Sequence, residues 1–363
     1  GHMEFALSDD QKMFQSSVQA YLADNAPLDL IRTAADGSHD TAAALKAGLL
    51  DLGLAHILVP ESHGGLGLGL LDSVLVQEAL GGVVAPYDFT ALALAITGLR
   101  LAGTEQQKAE WFFGLTSGDV EFGVALTEHV GARENAGVMA SSDGLNGKSL
   151  FVLNAAAATH FMVCDRAGGL HIVERDAPGL DVNTLDTIDR TRNFGELVFD
   201  NTPSIPLGPE GKSGDAADRM VSVGRLLLAA DTLGASQTML DKAVAYAGER
   251  KQFNRVIGSF QSVKHLCADM AAQIEPARSL VWHAAYLLDE QSDEASLLIC
   301  LAKSHLAETG THIARTATEV HGGMGFTDLL GLHYWFKRIG ANRQLLGSPE
   351  AVRSEAARLQ GWV

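Results

Sequence analysis

Two segments of the C-terminal part of the chain combine residue types that suit phosphate groups. The first runs Glu249-Arg250-Lys251-Gln252-Phe253-Asn254 and continues to Phe260-Gln261; the second runs His321-Gly322-Gly323-Met324-Gly325-Phe326-Thr327. An arginine presents a planar fork of donors that matches phosphate oxygens. Adjacent glycines let backbone N–H groups approach a ligand that any side chain would hold away. Taken singly, Arg250 also fits a solvated helix end and the glycine pair a plain turn, so the nucleotide-site prediction depends on both segments together.

The elements around these segments are helical. One apolar stripe comprises Val223, Leu226, Leu227, Ala230 and Leu233, and a second comprises Val263, Leu266, Cys267, Met270, Ile274 and Ala277. Both stripes follow helical spacing, and long helices with short breaks predict an antiparallel four-helix bundle. We place this C-terminal domain at residues 211–363.

The rest of the chain divides into two regions. Residues 3–118 predict a helical domain, in which Ser8 and Gln11 form a capping box and Asn25-Ala26-Pro27 ends the first helix. Residues 119–210 predict a small antiparallel β domain, because short apolar or alternating runs are separated by turn pairs such as Asp143-Gly144. The expected strands are 122–126, 137–140, 149–153, 160–164, 170–173 and 194–199.

Composition excludes several classes of function. The 363 residues include 27 Lys and Arg against 44 Asp and Glu, a formal net charge of −17, which disfavours nucleic acid and anionic membranes as partners. A polyanionic ligand therefore needs cations that are concentrated locally. No run approaches the roughly 18 apolar residues of a membrane span, and no signal-peptide pattern opens the chain. Three scattered cysteines favour reduced, buried thiols, so we expect a cytoplasmic protein.

The order helical domain, β domain and helical bundle resembles the acyl-CoA dehydrogenase family. The specific motifs are the Glu-Arg-x-x-Phe and Gly-Gly-x-Gly-Phe-Thr stretches, about 70 residues apart, and the resemblance covers essentially the whole chain. It implies that family's α+β multidomain fold, with FAD as cofactor and an acyl-CoA thioester as substrate. The family removes a proton α to the thioester and passes the β-hydrogen to the flavin as hydride. One subunit's β domain wraps the isoalloxazine while its neighbour's bundle holds the ADP portion.

The ADP-side contacts implied by the resemblance are Arg250, Phe253, Phe260, Gln261, Glu319, His321, Gly322 and Gly323. Arg250 matches the arginine that reaches the pyrophosphate, Phe253 an aromatic beside the cofactor, and Gln261 a side chain that offers donors to it. Two positions depart from the family pattern. Glu319 stands where a glutamine is usual, and Asn254 replaces a glycine.

The isoalloxazine side departs further. Family members read approximately Thr-Glu-Pro-x-Ala-Gly-Ser-Asp on the first contact strand, and this chain keeps only Thr127-Glu128 before His129. The second contact strand, usually Trp-Ile-Thr-Asn, reads Phe151-Val152-Leu153-Asn154. Leu153 lacks the hydroxyl that would bond the ring, a loss on the order of 1–3 kcal/mol.

Both family positions for the catalytic glutamate hold glycine, Gly224 and Gly347. Glu350, three residues later, is the one replacement that we retain, although Ser348-Pro349-Glu350 also fits an ordinary helix start. His305 and His312 share a helix face, but no carboxylate or cysteine completes a metal set with them, so we expect no metal site.

We therefore hypothesise a subunit of a heteromeric dehydrogenase. A related chain supplies the base and the ring pocket in an α₂β₂ assembly, by analogy with members that act on steroid side-chain thioesters, and an electron-transfer flavoprotein or similar acceptor takes the electrons. Two alternatives stay open. One is a homotetrameric dehydrogenase that uses Glu350, and the other is a non-catalytic scaffold that keeps the fold without flavin.

Overall fold

The computed structural model describes residues 7–37, 39–131, 136–208, 214–252, 254–322 and 330–361. The chain divides into two compact units. The bundle unit comprises Gly1–Ala42, Val74–Pro86 and Leu226–Val363, and the sheet unit comprises Ala43–Ser73 and Tyr87–Arg225. The three-domain boundaries expected from the sequence, 3–118, 119–210 and 211–363, remain a prediction.

The described residues form a series of helices, then strands, then helices again. The helices are α1 Asp9–Asn25, α2 Leu28–Ala35, α3 Ala43–Asp51, α4 Leu70–Gly82, α5 Phe89–Ala102, α6 Glu105–Ser117, α7 Thr127–Gly131, α8 Gly214–Glu249, α9 Gln261–Asp289, α10 Ala295–His321, α11 Leu332–Gln344 and α12 Pro349–Leu359. The strands are β1 Phe122–Ala125, β2 Gly137–Ser141, β3 Gly144–Leu153, β4 His160–Cys164, β5 Leu170–Glu174, β6 Leu180–Leu185, β7 Phe194–Thr202, β8 Ile205–Pro206, β9 Lys251–Gln252 and β10 Arg255–Val256. This order confirms the predicted succession of helices, sheet and helices.

Local capping determines several helix ends. The Ser8 hydroxyl accepts from the Gln11 backbone N–H at 3.1 Å while the Gln11 side chain accepts from the Ser8 N–H at 3.0 Å, which confirms the predicted capping box. The first helix ends at Asn25, as expected. Ser348 caps α12 by accepting from the Ala351 N–H, with Pro349 at the first helical position.

The sheet unit is built on an eight-stranded sheet in the order β6-β7-β3-β1-β4-β5-β8, with β2 added on β3. Among the described strands, all pairs are antiparallel except β1 with β4, where Phe122 lies opposite His160. The expected antiparallel arrangement is wrong for that pair, because the β2–β3 hairpin lies between β1 and β4 in the chain. Strand β6 was not predicted; its residues alternate between exposed and partly buried positions without a strong apolar face.

The bundle unit contains the long helices α9 and α10, with α11 and α12 packed against α10. The predicted α8 stripe is buried at every position, which confirms its helical period. In the α9 stripe Met270, Ile274 and Ala277 are buried, whereas the three residues nearer the helix start are partly exposed.

A buried charged network joins α4, α8 and α11. The Asp231 carboxylate accepts from Arg338 Nε at 2.9 Å and Nη2 at 3.0 Å, from Asn342 Nδ2 at 2.8 Å, and from Gln77 Nε2 at 2.9 Å. Arg338 Nη1 also donates to the Ala85 carbonyl at 2.9 Å. Asp231 and Arg338 are each 1% exposed. Because each charge meets an opposite charge and further hydrogen bonds, the pair is tolerated in the core.

Candidate functional site

The end of α8 and the β9–β10 hairpin place Arg250 at the surface of the bundle unit. Its backbone N–H donates to the Tyr246 carbonyl at 2.9 Å, and its carbonyl accepts from the Ile257 N–H at 2.7 Å. The side chain is exposed, so the guanidinium is accessible while the backbone is held at both ends. Phe253 lies outside the described residues. Asn254 has φ +61, a left-handed conformation that suits the glycine usual in the family and that asparagine tolerates.

The start of α9 provides a second anion-compatible feature. Phe260 is its N-cap and makes no side-chain capping bond, and the first turn contains no acidic residue. The first N–H groups of a helix have no intrahelical partner and carry the positive end of its dipole, which favours an anion there. Gln261, the first helical residue, is exposed. The Arg255 guanidinium lies 4.6 Å from the Phe260 ring centroid, and it brings a second cation to this end.

The end of α10 provides the third feature of the candidate site. His321 is 3% exposed, its Nδ1–H donates to the Ala317 carbonyl at 2.7 Å, and its ring lies 4.7 Å from the Tyr246 ring. Burial lowers the His321 pKa, the Ala317 hydrogen bond opposes that shift, and nearby Lys242 lowers the pKa further. The imidazole is therefore neutral and turned into the bundle, where it orders the helix end.

Gly322 follows His321 with φ +56 and ψ −132 and donates its N–H to the Glu319 carbonyl. Among the residues that the structure describes, no atom lies within 4 Å of a Cβ placed on Gly322, so none of them covers its backbone. The Glu319 side chain is exposed, and Gly323 lies outside the described residues. Tyr246 contacts both the Arg250 turn and His321, so the ends of α8 and α10 meet here. We call Arg250, Arg255, Phe260, Gln261 and Gly322 the cofactor end.

The second predicted contact segment, Phe151–Asn154, lies in the sheet unit. It comprises the last three residues of β3 and the residue that follows. Leu153 is 6% exposed and lies opposite Val124 and Phe194 in the sheet, so its side chain belongs to apolar packing. Phe151 has φ +51 and is 44% exposed. A positive φ is uncommon for an aromatic residue and marks local strain. We call Phe151–Leu153 the ring-side segment.

The first predicted contact segment does not continue as a strand. Residues Thr127–Gly131 form α7, and the Glu128 carboxylate accepts from Ser149 Oγ at 2.7 Å and from the Leu150 N–H at 2.6 Å. Glu128 therefore fixes α7 to β3. Residues 132–135, which complete the segment in the sequence, lie outside the described residues.

Neither of the two positions expected for a catalytic base provides one. Gly347 has φ +116, and its carbonyl accepts from Lys303 Nζ at 3.3 Å, which also donates to the carbonyls of Asn342 at 2.8 Å and Arg343 at 3.2 Å. Gly224 is buried within α8. Glu350 is exposed in the first turn of α12, where the helix dipole favours its charge.

Three contributors were not predicted from the sequence. Arg255 follows the first motif by two residues and was not assigned a role, although a second arginine beside Arg250 was a usable signal. Lys303, a single lysine on the apolar face of α10, was the signal for the closed turn at Gly347. Tyr246 gave no signal, since its role depends on the packing of two helix ends.

The structure offers no support for a histidine metal site within the ranges it describes. His312 Nε2 lies 2.6 Å from Asp269 Oδ2, a paired contact on neighbouring helices, and the described residues contain no group of three or more possible His, Cys, Asp or Glu ligands. The three cysteines are free thiols. Among the described helices, none combines the length and the apolar character that crossing a bilayer requires.

Comparison with known proteins identifies the family. The acyl-CoA dehydrogenase N-terminal domain model matches residues 8–119 and the C-terminal domain model matches residues 214–359. An acyl-CoA dehydrogenase of Bacillus subtilis is 32% identical over 76% of this chain and 78% of its own length. The ChsE4-ChsE5 complex of Mycobacterium tuberculosis contains a chain with TM-score 0.90 and 26% identity, over 99% of this chain and 100% of that one.

A variant of the Tcur3481-Tcur3483 steroid ACAD contains a chain with TM-score 0.87 and 28% identity, over 97% of this chain and 98% of that one. The chain therefore belongs to the acyl-CoA dehydrogenase family, and the expected fold is confirmed. FAD is the cofactor of this family. The cofactor end fits its diphosphate, because it offers two arginines, uncapped helix N–H groups and an open glycine backbone.

Proposed function

We propose that this acyl-CoA dehydrogenase family member is one subunit of a heteromeric, flavin-dependent enzyme that introduces an α,β double bond into an acyl-CoA thioester. In this proposal the chain supplies the ADP-side contacts, and a related chain supplies the base and the isoalloxazine pocket. The observation that carries the proposal is the difference between the cofactor end, which presents cations and open backbone, and the ring-side segment, which presents apolar side chains.

The reaction requires a positioned base to remove the α-proton, while FAD accepts the β-hydrogen as hydride. A general base contributes roughly 10²- to 10⁴-fold to such a step. Glycine at 224 and 347 provides none. This deficit supports a partner that carries the missing carboxylate.

The turn at Gly347 adds a structural argument. Its φ of +116 lies where non-glycine residues are strained, and Lys303 holds its carbonyl together with the last carbonyls of α11. A glutamate at 347 would be strained at this φ, which glycine adopts without cost. The turn is therefore adapted to a structural role.

The two solved assemblies support a two-chain arrangement. Both the ChsE4-ChsE5 complex and the Tcur3481-Tcur3483 steroid ACAD are named for a pair of chains. We infer an α₂β₂ assembly with one FAD for every two chains and a bulky thioester such as a steroid side chain as substrate. An electron-transfer flavoprotein or similar cytoplasmic acceptor completes this proposal.

The test is dehydrogenation by the chain with and without a related chain from its genomic neighbourhood. We expect turnover of a steroid side-chain acyl-CoA only in the co-purified assembly, and Glu350→Gln to leave its kcat within about twofold because Glu350 is an exposed helix-start residue. Turnover by the lone chain that Glu350→Gln abolishes would replace the proposal with a homomeric enzyme. If the chain binds no flavin with any related chain that it is paired with, the non-catalytic scaffold is favoured.

A further inference from the structure

The sheet unit contains a cavity of about 180 Å³ that none of the proposed chemistry uses. Residues of α3, α5, α6 and β1 line it. Its large apolar side chains are Leu50, Leu92, Leu115, Val120 and Phe122. A hydrocarbon-lined cavity of about 150 Å³ is known to hold benzene, so this space is large enough for one six-membered ring with a small substituent.

Polar side chains also line this cavity. Lys46 Nζ lies 2.8 Å from Glu121 Oε1 and 2.9 Å from Oε2, and Asn154 Nδ2 donates to Glu121 Oε1 at 3.1 Å. An ammonium has three N–H donors, and Glu121 takes at most two of them. Lys46 therefore keeps one donor for another acceptor.

Tyr87 supplies the second donor. Its side chain lines the cavity, and its hydroxyl can donate a hydrogen bond to a ligand there. Burial raises the Tyr87 pKa, and the carboxylates of Glu121 and Asp88 raise it further, so the phenol stays protonated. Lys46 and Tyr87 both line the cavity, so both donors are available to a ligand inside it.

We propose that this cavity binds a small neutral compound with one ring and a carbonyl group. The carbonyl oxygen has two lone pairs and accepts from Lys46 Nζ and Tyr87 Oη, while the ring packs against Leu92, Leu115 and Phe122. The charged lining consists of Lys46 against Glu121 and Asp88, which leaves one surplus negative charge. That surplus disfavours an anionic ligand, so the site is distinct in chemistry from one for acyl-CoA. This inference is independent of the proposed subunit role.

The test is binding of acetophenone to the full chain, measured by saturation-transfer NMR and calorimetry. We expect saturable binding of acetophenone, and binding at least about tenfold weaker for ethylbenzene, which lacks the acceptor, and for benzoate, which adds a negative charge. Tyr87→Phe keeps the ring and removes the hydroxyl, so it should weaken acetophenone binding about three- to tenfold.

A rim substitution locates the ligand. Ala47 is exposed and lines the cavity, so Ala47→Phe should fill the opening and abolish binding, while Ala44→Phe, an equally exposed position of α3 that does not line it, should bind normally. Loss of binding in both variants, retention in both, or equal affinity for acetophenone and benzoate would overturn the proposal. Acetophenone binding by Tyr87→Phe as tight as that by the unmodified chain would also overturn the proposal.

Discussion

The cofactor end and the ring-side segment differ in the chemical groups that they offer to a ligand. At the cofactor end, the exposed Arg250 and the Gly322 backbone lie at helix ends that are held by hydrogen bonds and by contact between the His321 and Tyr246 rings. At the ring-side segment, Val152 and Leu153 belong to the apolar core of the sheet. In our proposal this difference means that the chain keeps groups suited to phosphate, while Val152 and Leu153 offer no side-chain donor to a flavin ring.

The core of the bundle unit also differs from the surroundings of the ring-side segment. The bundle unit contains the buried Asp231 and Glu78 carboxylates, whereas the ring-side segment packs among aliphatic and aromatic side chains such as Val124 and Phe194. Buried charges are costly unless they are fully partnered. Substitutions at buried charges should therefore have large effects, and those at the ring-side segment should change stability without restoring flavin binding.

The largest effect is expected at Asp231. Asp231→Asn leaves Arg338 buried without its counter-charge, which should lower the free energy of unfolding by about 3–5 kcal/mol. Denaturant unfolding measures this change. Glu308→Gln is the matched control, because Glu308 forms an exposed ion pair with Arg353 and should cost less than about 1 kcal/mol. Equal effects of the two variants would contradict a stabilising charged network in the core of the bundle unit.

The next effect depends on pH. Burial raises the Glu78 pKa from 4.5 to about 7, against the opposing hydrogen bond from Trp282 and the charge of Arg278. The folded state then binds more protons than the unfolded state between these pKa values. The Glu78 contribution is therefore complete below pH 4.5 and is lost as pH rises through about 7, a change of roughly 3 kcal/mol at most.

Glu78→Gln tests this linkage, because glutamine retains an acceptor for Trp282 and cannot ionise. We expect unfolding free energies measured at both ends of the window to differ less in Glu78→Gln than in the unmodified chain. Glu290→Gln, at the exposed end of α9, should keep the original slope. A slope unaffected by Glu78→Gln would assign the pH dependence to other groups.

The third effect concerns the cofactor end itself. Arg250→Ala removes a charge-assisted contact to phosphate, worth about 1.5–3 kcal/mol, so FAD affinity of the assembled enzyme should fall about 10- to 150-fold. Fluorescence titration of the deflavinated assembly measures it. Arg358→Ala removes an equally exposed arginine from the last turn of α12 and should leave FAD affinity unchanged. Equal losses in both would indicate a nonspecific charge effect.

The smallest effect on flavin is expected at Leu153. Leu153→Thr introduces the hydroxyl usual in the family, yet it also removes buried apolar atoms and should lower stability by about 2 kcal/mol. The lone chain should remain without flavin, because Phe151 and the segment after Glu128 also depart from the family pattern. Flavin uptake by the lone Leu153→Thr chain would show that the side chain at position 153 alone accounts for the difference in flavin binding between the two regions.

The sequence predicted features that depend on local chemistry. The Ser8 capping box, the end of α1 at Asn25 and the α12 start at Ser348-Pro349 all depend on neighbouring residues, and all are confirmed. The resemblance of the motifs to the acyl-CoA dehydrogenase family also predicted the fold correctly. These predictions succeeded because caps, turns and helical stripes are determined within a few residues.

The unpredicted features depend on residues far apart in the chain. Gln77 and Arg338 meet at Asp231 across more than 100 residues on either side. The parallel pairing of β1 with β4 depends on the whole sheet, and the α7 helix depends on Glu128 reaching Ser149 and Leu150. No local pattern specifies such contacts, because they arise only when the elements pack. The site-residue assignments at Phe253 and Gly323 fall outside the described residues and stay predictions.

The most direct test of the subunit hypothesis is the amount of FAD bound per chain, measured by flavin absorbance after purification in saturating FAD. The proposal predicts no retained flavin on the lone chain and one FAD for every two chains in the assembly with its partner. Full loading of the lone chain, with one FAD for each copy, would contradict it.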